Sequence, residues 1–230
     1  MAGTRETTET APRVEDLSAD LGRIPVPPPE PPGDRGGWGP REEPEPRLLI
    51  ENAQLGILIF LAAEAMFFAG LIGAYLVTRI GAAAWPLPFQ PRLPVEVTGV
   101  NTLFLLASSV TMVRSVRAVK RGDPAGLTRG LGQTALLGLL FLGIQGYEWA
   151  RLVQFGLTAS SGMYGAAFYT IIGTHGAHVL VAVACVLTVL VRAARHRYSP
   201  TNHIGVMVCA TYWHFVVGLW PILYALVYLV

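Results

Sequence analysis

Charge is scarce in this chain. Only 14% of its 230 residues are Asp, Glu, Lys or Arg, while 52% are hydrophobic, and the mean hydropathy is +0.47. A soluble domain of this length carries about 25% charge, so the composition points to an integral membrane protein. Acid is scarcer still in the apolar part: eleven of the fifteen Asp and Glu residues precede Asn52, leaving Glu64, Glu96, Asp123 and Glu148. Cysteine is nearly absent. Cys185 and Cys209 sit inside apolar runs with no CxxC pair, which excludes a secreted disulfide framework and reads as two buried thiols. No basic patch with interleaved aromatics appears, so nucleic acid is not an expected partner. No basic stretch leads into a short apolar core at the N-terminus, so no signal peptide is expected. No internal repeat is visible.

What is present begins with proline. Ten of seventeen prolines fall in residues 1–47, centred on Pro25-Val26-Pro27-Pro28-Pro29-Glu30-Pro31-Pro32. Such a stretch favours extended polyproline II and cannot bury a core. Residues 1–50 are therefore expected to be a tail, disordered or extended along a partner, before a membrane domain at 51–230. The expected fold is all-α, with five spans at about 52–80, 95–119, 128–153, 163–193 and 203–229, each long enough to cross a hydrocarbon core of about 30 Å. The fourth is long for a straight crossing and implies tilt or extension past the bilayer. Arg121-Gly122-Asp123-Pro124, Gly156 to Gly162 and Arg195 to Pro200 supply the breaks.

Lys and Arg near the span ends set the orientation. Arg35, Arg41, Arg47, Arg114, Arg117, Lys120, Arg121, Arg129, Arg192, Arg195 and Arg197 lie on one side, against Arg79, Arg92 and Arg151 on the other. The N-terminus is thus expected inside and the C-terminus outside.

The first span, Leu55 to Val77, holds one ionisable group, Glu64, near its middle. A lone carboxylate there is costly and calls for a partner. Small residues at Ala69-xxx-Gly73 and Gly70-xxx-Ala74 would admit a close neighbouring helix. Counting about twelve residues, or about 18 Å, from the inner end of the span places Glu64 at the depth of His178 and His214. Either could share a proton with it, as a helix-fastening bond or as direct proton chemistry. His175 and His178, spaced i, i+3, lie on nearby parts of one helix face. Two His there plus His214 could ligate a metal, or His178 and His214 a haem; bonded helix-contact histidines are the alternative. Gln145, Glu148 and Arg151 form a polar stripe near the outer end of the third span. Asn101, Thr102, Ser108 and Ser109 read as interhelical hydrogen-bonding residues. Tyr212-Trp213-His214-Phe215 reads as a packed surface with specific bonds.

These stretches are similar to subunit III of the haem-copper oxidases, the cytochrome c oxidase subunit 3 family. The resemblance rests on Ala63-Glu64-Ala65-Met66-Phe67-Phe68-Ala69-Gly70, Ala107-Ser108-Ser109, Gln145-Gly146-Tyr147-Glu148, Phe168-Tyr169 with Gly173-Thr174-His175-Gly176-Ala177-His178-Val179, and Tyr212-Trp213-His214-Phe215-Val216. They occur in the family's order from residue 52 to 230, in the shorter five-helix bacterial form. One departure is Val217, where the family usually has an acid.

The resemblance implies a subunit without redox centres, whose haem and copper lie on partner subunits of a dioxygen-reducing, proton-pumping complex in the bacterial inner (plasma) membrane. It implies packing on oxidase subunit I, contact with other oxidase subunits, and bound phospholipid between the helices. It further implies support of proton uptake and stability in aerobic electron transport. Glu64 matches the family's buried carboxylate, and His175, His178 and His214 its helix-contact histidines. Tyr212, Trp213, Arg79 and Arg151 are the expected lipid or subunit contacts. An accessory subunit of a nitric oxide reductase and, further off, a small membrane haem or metal protein are the alternatives.

Overall fold

A computed structural model describes residues 52–82 and 94–229. Five helices long and apolar enough to cross a membrane account for nearly all of them: α1 (Asn52–Ile80), α2 (Val95–Lys120), α3 (Pro124–Gln154), α4 (Met163–Ala194) and α5 (Ile204–Tyr224), the last continued by a wider π-type turn at Ala225–Leu229. No strand occurs among the described residues. The Pro-rich tail and most of the α1–α2 connection lie outside them.

The expected third span starts too late. α3 begins at Pro124, because proline serves as a first helical residue, where its missing N–H is not needed. Asp123 caps it, its carboxylate accepting from Gly126 N at 2.8 Å. Gly122, at φ 71°, takes the left-handed conformation that closes the tight α2–α3 hairpin. Pro221 acts differently inside α5. It cannot donate to the carbonyl of Val217, and the helix widens within one turn of it.

α2 packs on α3, α3 on α4, α4 on α5, and α5 back on α2, closing a four-helix ring; α1 leans on the outside against α4 and α5. Polar bonds join the ring. Asn101 Nδ2 donates to Phe141 O (3.1 Å) and Thr111 Oγ1 meets Thr134 Oγ1 (2.7 Å) between α2 and α3. Trp213 Nε1 donates to Ser108 Oγ (3.2 Å), and Trp220 Nε1 to Thr102 Oγ1 (2.9 Å), between α5 and α2. Such bonds average about 0.6 kcal/mol in membrane proteins, so they orient the helices more than they hold them. Close packing does the holding. A Cβ at Gly138 would lie 2.6 Å from Trp213 Cη2 and 3.0 Å from Val183 Cγ2, so this glycine lets α3 approach α4 and α5.

The small residues of α1 behave otherwise. A Cβ at Gly70 or Gly73 would meet nothing within 4 Å, and only Phe68 and Tyr75 of α1 are buried. The close approach expected at Ala69-xxx-Gly73 does not occur among the described residues, because these residues face away from α4 and α5.

Candidate functional site

Glu64 finds its partner on α4. His178 Nε2 lies 3.0 Å from Glu64 Oε2, while His178 Nδ1 lies 2.8 Å from Thr174 O. A carbonyl oxygen can only accept, so Nδ1 carries a proton. Nε2 then either donates to an ionised Glu64 or accepts from a protonated one. In both arrangements the pair holds one shareable proton and is net neutral, which is how a carboxylate is tolerated inside a membrane. Both side chains are about one-fifth exposed (19% for Glu64, 20% for His178), so the shared proton sits at the edge of the protein rather than in its core. Phe68 packs against His178, with ring centroids 5.0 Å apart.

His214, at the same expected depth, faces a different neighbour. Its Nδ1 lies 2.7 Å from Ser109 Oγ on α2. The two His that depth alone made interchangeable are separated by direction around the bundle. His178 already has a partner on each nitrogen, and His214 is held on α2. Among the described residues no three His, Cys, Asp or Glu side chains come together in a group that could hold a metal ion.

His175, one turn before His178, points inward. It is fully buried and stacks on Trp220, centroids 5.1 Å apart and planes 23° apart. Gln145 Nε2 donates to Tyr228 OH at 3.2 Å, a contact made possible by the widened end of α5. Glu148 is buried and lies 3.8 Å from Arg151, whose guanidinium also sits 5.9 Å from the ring centres of Tyr147 and Phe155. Arg79 reaches from the C-terminal end of α1 to donate to Leu226 O at 3.1 Å, in the turn that continues α5.

Of the aromatic pair expected at the surface, Tyr212 borders a groove and Trp213 does not. Trp213 is 1% exposed and is committed to Ser108 in the core. Val217 is likewise buried and apolar, so no acid is present at that place on α5.

Tyr212 lines a trough of about 560 Å³ between α1, α4 and α5, walled by Ile57, Phe60, Val181 and Cys185. The trough shares Arg192, Tyr198 and Gly205 with a second pocket of about 410 Å³, which adds Arg195 and Arg197. Carbon lines one end and three guanidinium groups crowd the other. In the sequence these arginines bear on orientation. Their convergence beside an apolar trough depends on how the α4–α5 turn folds back.

Five spans, a neutralised carboxylate within them and tryptophans committed to interhelical bonds define a multi-pass membrane protein of polar-pinned helices. Residues 47–230 match the family described as cytochrome c oxidase subunit III. The chain is 40% identical over 175 residues to cytochrome c oxidase subunit 3 of Synechocystis sp., covering 76% of this chain and 74% of that one. It is 38% identical over 179 residues to the same subunit of Corynebacterium diphtheriae (76% and 87% covered), and 36% over 176 residues to that of Thermostichus vulcanus (76% and 86%). The chain belongs to the cytochrome c oxidase subunit III family, the non-catalytic subunit of a hetero-oligomeric haem-copper oxidase.

Proposed function

We propose that this chain packs on the catalytic subunit I of its oxidase and holds phospholipid against the complex. In that position it supports proton uptake and stability during turnover, in the bacterial plasma membrane with its N-terminus inside. Haem and copper reside on the partner subunits. The observation that carries the lipid reading is the apolar trough between α1, α4 and α5 running onto Arg192, Arg195 and Arg197: acyl chain against carbon, phosphate against guanidinium. The arginine end lies on the side that the excess of Lys and Arg assigns to the inner leaflet. The Glu64–His178 pair at the membrane-facing edge supplies a protonatable centre beside subunit contacts.

Purifying the complex through a tag on this chain tests the assignment. The expected result is a co-purifying haem-bearing catalytic subunit, with haem absent from this chain once separated. Stoichiometric haem on the separated chain would sink the reading. Replacing Arg192, Arg195 and Arg197 together with Gln is expected to lower the phospholipid phosphorus retained by the delipidated complex, and unchanged retention would refute the lipid site.

A further inference from the structure

A third cavity, of about 370 Å³, lies between α3 and α4 with Trp220 of α5 at its side. It shares no lining residue with the trough described above: Leu180 lines the cavity and its neighbour Val181 the trough. Its wall combines three features. Phe141, Trp149, Trp220 and His175 supply aromatic faces. Among the described residues no Asp, Glu, Lys or Arg lines it, so none of them would hold a phosphate there. Finally, three of its residues carry buried hydrogen-bonding atoms with no partner among the described residues: Trp149 Nε1, both ring nitrogens of His175, and Gln145 Oε1.

An unmet buried polar group costs about 1–3 kcal/mol, so a cluster of them in one wall needs a ligand or water. Water alone suits a polar cavity, whereas this wall is chiefly carbon. Its mouth, at Gly146, Gly173, Ala177 and Leu180, opens on the side surface of membrane-spanning helices. The occupant must therefore be neutral, soluble in lipid, able to stack on aromatic rings, and equipped with oxygen to accept from the indole N–H of Trp149 and from a neutral His175. A hydroxyl on the same ring would donate to Gln145 Oε1 or to the second nitrogen of His175.

We propose that this cavity binds the ring of a membrane-soluble carbonyl or hydroxyl compound of the quinone–quinol class, held by stacking and by hydrogen bonds from Trp149 and His175. The site is one of binding, without electron transfer. Gly146 and Gly173 keep the mouth open: a Cβ at either would meet no atom within 4 Å.

The test is photolabelling of the intact oxidase complex, in lipid nanodiscs, with a short-chain azidoquinone, followed by peptide mapping. Label is expected on α3 and α4 peptides around residues 141–149 and 172–180. Gly173→Phe, which fills the mouth, and His175→Phe, which keeps a ring but removes both nitrogens, are each expected to cut it about tenfold. Gly143→Phe, at an open α3 position outside the cavity, is expected to leave it unchanged. Trp149→Phe replaces either variant that fails to assemble, and co-purification of the catalytic subunit is read on the same samples, so loss of the complex is distinguished from loss of the site. Label elsewhere, label indifferent to these substitutions, or a map of the complex showing only water, an acyl chain or a partner's side chain in the cavity would overturn the proposal.

Discussion

Glu64 and His178 share one proton across 3.0 Å, and among the described residues each is the other's partner on that side. Removing one leaves the other desolvated and unpaired, so Glu64→Ala and His178→Leu are each expected to destabilise the subunit by about 1–3 kcal/mol. The double variant is expected to cost less than the sum of the two singles, a coupling of about 1 kcal/mol or more. Thermal dissociation of this subunit from the purified complex measures all three; strict additivity would mean that the pair contributes nothing as a pair. Glu64→Gln keeps a hydrogen bond to Nε2 but loses the shareable proton. It is expected to retain most of the stability while losing any infrared band of a protonated carboxyl that arises from Glu64. The residue types at this site were legible in the sequence, because an acid and histidines in apolar spans stand out. The choice of His178 over His214 was not, since equal depth says nothing about direction around the helix.

At the scale of helices, two glycine groups that look alike in sequence have opposite roles. Gly138 holds the ring together, because any side chain there meets the buried and hydrogen-bonded Trp213. Gly138→Val is expected to cost about 1–3 kcal/mol through overpacking, seen as a lower Tm of the complex. Gly73 of α1 has open space where a Cβ would go. Gly73→Ala is expected to leave the Tm of the separated subunit unchanged, and a lower Tm seen in the assembled complex alone would mark this face as a subunit contact. The span limits were legible to within a residue or two except at α3. There a breaker motif hid a helix start, because Pro124, which reads as a break, is the first residue of α3.

The described residues form a ring of four helices with a fifth leaning on its outside, and that asymmetry leaves α1 a broad apolar face, including Ile59, Met66, Val77 and Ile80. A large apolar face of this kind suits a subunit that works against lipid and partner chains. Orientation can be read directly. Ser160→Cys, in the α3–α4 connection, is expected to react with a membrane-impermeant maleimide in intact cells, and Thr201→Cys, in the α4–α5 connection, only after lysis. The reverse pattern would invert the topology.

By itself the sequence determined that the chain is helical, crosses a membrane five times, carries an acid in one apolar span and histidines in others, and is similar to subunit III of the haem-copper oxidases. Those properties follow from local composition, spacing and motif order, which need no knowledge of neighbours. Only the tertiary structure decided that His178 answers Glu64, that Trp213 is core rather than surface, and that three arginines meet an apolar trough. It also decided that His175 sits on a cavity with its nitrogens unmet. Each of these depends on the rotation of one helix against another. Rotation is set by packing summed over all the faces at once, such as Gly138 against Trp213, and no single segment encodes it.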